Sequence, residues 1–174
     1  MTPEPTIGSI SLALTSLRKI FGAYSAYSSG HFVETDQGLR DEILRRVTML
    51  QNHLNTFENQ ALEARKADVI QAIQRVRTTC SGFEQSVRMG ISGTSASSHP
   101  QAEKVSKKVV KKLIQSDYSI LEKLVLCMNT LNAAQESLVT SPSEVTVLIQ
   151  QLTQSITSAQ NRYQERNSYI GQIQ

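Results

Sequence analysis

Residues 120–149, ILEKLVLCMNTLNAAQESLVTSPSEVTVLI, decide how this chain folds. Within them Ile120, Leu124, Cys127, Leu131, Ala134 and Leu138 recur at alternating steps of four and three. At about 100° per residue that spacing lines one side of an α-helix with apolar groups and leaves the other side polar. Thr140-Ser141-Pro142-Ser143-Glu144 then breaks the pattern. Ser141 suits an N-cap, whose side-chain oxygen accepts from the free N–H groups of a helix start. Pro142 suits the first helical position, where no N–H is needed, and Glu144 can reach back as the reciprocal cap. The stretch therefore predicts a helix over 101–139, a sharp stop, and a new helix over 142–171.

The last helix carries Val145, Leu148, Leu152, Ile156, Ala159 and Tyr163 on its predicted core stripe. No charged residue lies between Val145 and Asn161. Toward the N-terminus, Ile43, Val47, Leu50, Leu54, Phe57 and Ala61 repeat the four–three spacing, as do Val69, Ile73, Val76, Cys80, Phe83 and Val87. These two stripes are out of step, because eight residues separate Ala61 from Val69 where seven would continue the face. One long helix with a rotated face and two helices with a tight break near Glu63–Ala67 both fit. The break is the favoured reading, with helices over 37–62 and 68–89, because a bundle packs helices of similar length. Asp68 and Gln71 offer a capping box for the second of them. A further stripe of Ile10, Leu14, Leu17, Phe21 and Tyr24 predicts a helix over 7–28.

Gly90-Ile91-Ser92-Gly93-Thr94-Ser95-Ala96-Ser97-Ser98-His99-Pro100 reads as a flexible loop near 90–100, with Ser98 and Gln101 as a second capping pair. Elsewhere punctuation is sparse: the whole chain of 174 residues holds eight glycines and four prolines. The fold expected is a single all-α domain over 1–174, an antiparallel bundle of four to five helices.

Catalytic and metal chemistry find little support in these residues. His31, His53 and His99 are far apart and form no i, i+4 pair, so a metal site is not expected. There is no phosphate loop and no nucleophile elbow, and the acidic residues are scattered. Neither a cofactor nor an enzymatic activity is expected. Cys80 and Cys127 sit among apolar neighbours and read as buried thiols in a reducing compartment. The first residues lack the basic start of a signal peptide, and no run is long and apolar enough for a transmembrane helix. The expected location is cytoplasmic, with peripheral attachment at a membrane surface.

Net charge is +3, mildly basic, but its distribution is uneven. Lys104, Lys107, Lys108, Lys111 and Lys112 fall within an arc of about 140° on a helix, and Val105, Val109, Val110, Leu113 and Ile114 fill the rest. Such a strip can be a solvated face, a contact for anionic lipid headgroups, or a contact for nucleic-acid phosphates. The absence of an aromatic residue to stack on a base sets nucleic acid behind the membrane, as does the loop that precedes the strip. Two other surfaces are candidates. The apolar first helix, with Ile10, Leu14, Leu17 and Phe21, could act as a mobile element at a membrane interface. The uncharged last helix could dock a protein partner or a second copy, because burying it desolvates no charge.

Gly8-Ser9-Ile10-Ser11-Leu12-Ala13-Leu14, then Leu39-Arg40-Asp41-Glu42-Ile43 leading to Leu50, Leu54 and Phe57, then Ala72-Ile73 with Cys80, Phe83 and Glu84, and later the basic stretch, come in an order that resembles a known family. The chain over residues 7–140 resembles the HeLo and HeLo-like N-terminal domains of fungal NLR-type and cell-death proteins. The resemblance lies in apolar spacing, and the last helix has no counterpart in it. It implies a four-helix bundle that associates with membranes, oligomerises in signalling or regulated cell death, and is switched by an adjoining sensor or kinase module.

Overall fold

A computed structural model describes residues 32–90 and 107–170 of the chain. They form four helices: α1 (Phe32–Glu63), α2 (Ala67–Met89), α3 (Lys107–Thr140) and α4 (Pro142–Ile170). Among the described residues there is no strand, and the helices pack as an all-α bundle. The helix expected over 7–28, with its candidate residues Ile10, Leu14, Leu17 and Phe21, lies outside the described residues, as does nearly all of the loop expected near 90–100.

Two short connections make two antiparallel hairpins. The first break falls where the two stripes lose register. Lys66 N–H donates to the Ala61 carbonyl at 2.9 Å and Arg65 N–H to the Leu62 carbonyl at 3.0 Å. This nested pair is the Schellman arrangement, which satisfies the last carbonyls of α1 by turning one residue left-handed. That residue is Arg65, with φ of 55°. The capping box expected from Asp68 and Gln71 is not formed. Lys66 occupies the N-cap position and no side chain caps it, because α2 starts one residue earlier than expected and places Asp68 inside the first turn. There its carboxylate still faces the positive end of the helix dipole. The second break is a single non-helical residue, Ser141, whose carbonyl accepts from Glu144 N–H at 2.9 Å.

The α1/α2 hairpin lies beside the α3/α4 hairpin. α1 touches α2 and α3, and α4 touches α2 and α3. Both short turns sit at one end, called here the turn end. The starts of α1 and α3 and the finishes of α2 and α4 gather at the other, the open end. Gln160 donates to the Ser86 hydroxyl at 2.9 Å and Tyr163 Oη to the Val87 carbonyl at 3.3 Å, which fixes α2 and α4 as parallel neighbours.

Every residue of the stripes predicted for α1, α2 and α3 is buried in one continuous core. On α4 one position differs. Ile149 takes the core place expected for Leu148, which is only partly buried, because steps of four and three from Val145 arrive at 149 and 152. Each fully buried Leu, Ile, Val or Phe contributes about 1.5–3 kcal/mol.

Candidate functional site

The lysine strip begins α3. Lys108, Lys111 and Lys112 are exposed, while Leu113 beside them is fully buried. Val109, Val110 and Ile114, on the apolar part of the same segment, are partly buried. Lys107 belongs to the helix but its side chain lies outside the described residues, and so does Lys104. Lys112 Nζ stands 5.0 Å from the centre of the Tyr169 ring on α4, within cation–π range. Gln115, one turn further on, is also exposed and shares the face of Lys108, Lys111 and Lys112.

Directly beyond the strip, α3 turns a carboxylate inward. Asp117 is 1% exposed, and Arg166 on α4 is 0% exposed. Arg166 Nε donates to Asp117 Oδ1 at 2.5 Å, and its Nη1 donates to Asp36 Oδ1 on α1, also at 2.5 Å. Arg166 thereby reaches across the diagonal of the bundle, between two helices whose backbones are not neighbours. Asp36 in turn holds Arg40, whose Nε lies 3.0 Å from Asp36 Oδ2. Arg40 Nη1 donates to the Gly90 carbonyl at 2.6 Å, where α2 ends. Two carboxylates and two guanidiniums thus join all four helices in a neutral, buried network.

Next to the network, burial pushes the Tyr163 phenol above its usual range. Phe83 packs edge-on to the Tyr163 ring, with centroids 6.1 Å apart. A Cβ at Gly90 would come within 2.3 Å of Tyr163 Oη, so glycine is needed there for close approach.

Sequence reasoning missed this network. The helix expected over 37–62 starts earlier, for α1 begins at Phe32 and Asp36 points into the bundle. A signal was present nonetheless. Continuing the α3 stripe back from Ile120 by three lands on Asp117, and continuing the α4 stripe from Tyr163 by three lands on Arg166. Opposite charges at core positions of different helices mark a buried pair, since an unpaired charge there is prohibitive.

The cysteines are inert at neutral pH. Cys80 and Cys127 are fully buried and unbridged, and burial pushes both thiols up to about 12. Among the described residues, no three His, Cys, Asp or Glu side chains are placed to hold a metal ion. Nor is any described helix long and apolar enough to cross a membrane.

No family model, curated relative or solved structure matches this chain.

Proposed function

We propose that this chain is a non-catalytic helical bundle that binds an anionic membrane surface through the lysine-bearing start of α3. The observation that carries the reading is the exposure of Lys108, Lys111 and Lys112 on one side of a helix whose opposite side is locked into the core. Their helix backbone already holds the three charges on one face, which limits the ordering cost of binding to the side chains. Near anionic lipid each lysine contributes about 1 kcal/mol, which makes three described lysines worth roughly a hundredfold in affinity. Oligomerisation and a setting in regulated cell death enter this proposal from the resemblance to HeLo-like domains.

Co-sedimentation with vesicles tests it. Binding is expected to vesicles rich in phosphatidylserine, to weaken with salt, and to vanish when Lys104, Lys107, Lys108, Lys111 and Lys112 are all changed to Glu. Binding that survives those changes, or no binding at all, would overturn it.

A second reading has its own observation. The outer side of α4 presents Thr146, Val147, Gln150, Gln151, Gln154 and Thr157, all exposed and none charged. Such a face supports an adaptor or self-associating bundle. Light scattering after size exclusion distinguishes it: a second copy docked on α4 gives a dimer mass at high concentration that Gln150→Lys with Gln154→Lys abolishes, while a monomer mass counts against self-association.

A further inference from the structure

We infer that the Asp36–Arg40–Asp117–Arg166 network is a releasable clasp, and that the bundle opens from its open end while the turn end stays closed. The argument begins with the connections. Both short turns, at Ala64–Lys66 and at Ser141, tie the helices at the turn end. At the open end no such turn lies among the described residues, where the two hairpins meet through side-chain contact. The network is one of those contacts, with Arg166 fully buried at its centre.

Its energetics differ from those of an apolar layer. Separating apolar side chains exposes oil to water with no compensation. Separating a buried ion network returns two carboxylates and two guanidiniums to hydration, which repays much of what their mutual attraction gave. Arg166 and Arg40 carry bonds from the network to α1, α2 and α3. Losing the Arg166 contacts releases Asp36 on α1 and Asp117 on α3 in one event, and Arg166–Asp36 is the bond among them that joins the two hairpins. The clasp is thus cooperative, strong while intact and cheap to release as a unit.

Release has a structural consequence. The apolar groups just inside the clasp are Ile43, Val87 and Tyr163, all fully buried in the closed bundle. Opening would uncover them beside Lys108, Lys111 and Lys112, without unfolding the turn end. The device is independent of what the lysines bind and can be measured without lipid.

Native-state hydrogen exchange on the intact chain tests it, using amides matched for distance from helix ends. Ile43, Asp117 and Tyr163 represent the open end; Leu54, Leu131 and Ile149 represent the turn end. The open-end amides are expected to exchange through a partial opening, with protection at least about tenfold lower than their turn-end counterparts. Arg166→Met should widen that gap. The fourfold variant Asp36→Leu, Arg40→Met, Asp117→Leu, Arg166→Met, which replaces the clasp by apolar side chains, should close it. Equal protection at both ends of the wild type would overturn the inference, whatever the variants do. So would a gap that persists unchanged in a folded fourfold variant.

Discussion

The two ends of this bundle are closed by different chemistry. At the turn end the chain itself does the work. A Schellman turn and a single-residue break hold each hairpin, and Phe57, Ala61, Val69, Leu138 and Val145 fill the space between them. At the open end two arginines and two aspartates occupy positions that the four–three spacing reserves for apolar groups. The difference teaches that one periodic pattern can serve two ends. Apolar residues in the register give a permanent seam, and paired charges in the same register give one whose partners must be correct. It also explains how the hairpins choose their arrangement: in another orientation Asp36, Asp117 and Arg166 would be buried without each other.

The sharpest way to break the comparison is to remove one member of the clasp. Arg166→Met removes the guanidinium that the two buried carboxylates share. It is expected to cost about 3–5 kcal/mol of stability in urea unfolding. The fourfold apolar variant is expected to recover that loss or to exceed the wild type by about 1–4 kcal/mol. Were the single change nearly neutral, the network would hold nothing together.

A smaller effect is expected where α2 ends. Gly90→Ala pushes a methyl group against Tyr163 Oη, so the ring must move out of its contact with Phe83. Overpacking of this kind costs about 1–3 kcal/mol. Because Arg40 bonds the Gly90 carbonyl, the change should also raise exchange at the open end before the turn end.

The smallest effect belongs to the turn end and has the opposite sign. Arg65 adopts φ of 55°, a conformation that costs a side-chain-bearing residue about 1–2 kcal/mol. Arg65→Gly relieves it against the entropy glycine loses on folding, leaving a gain of about 0.5–1 kcal/mol in stability, read as a higher urea midpoint.

How much of this was legible from the residues follows the same division. The apolar core was, because Ile43 through Ala61, Val69 through Val87 and Ile120 through Leu138 repeat one spacing without exception. The break near residue 64 was legible as a lost register. Its mechanism was not, since an arginine in a left-handed turn carries no glycine signal and Asp68 with Gln71 imitated a cap. The clasp went unread because charged residues were taken as surface markers. Asp36 in particular falls just before the helix expected from residue 37, although its register with Arg40 and Ile43 places it on the inner face. The lysine strip was legible as a pattern, and its exposure at Lys108, Lys111 and Lys112 agrees with that pattern. What it binds is chemistry supplied by a partner, so the proposal rests on experiment.

That experiment can be made local, because burial keeps Cys80 and Cys127 unreactive with thiols pushed up to about 12. A cysteine introduced at an exposed position can then be labelled alone with an environment-sensitive fluorophore. Gln115→Cys places the probe on the lysine face of α3, and Gln154→Cys places it on the uncharged face of α4. With phosphatidylserine vesicles, the probe at 115 should brighten and shift to shorter wavelength while the probe at 154 stays unchanged, and neutral vesicles should move neither. A response at 154 with none at 115, or silence at both, would contradict the claim that this bundle acts through the lysine-bearing start of α3.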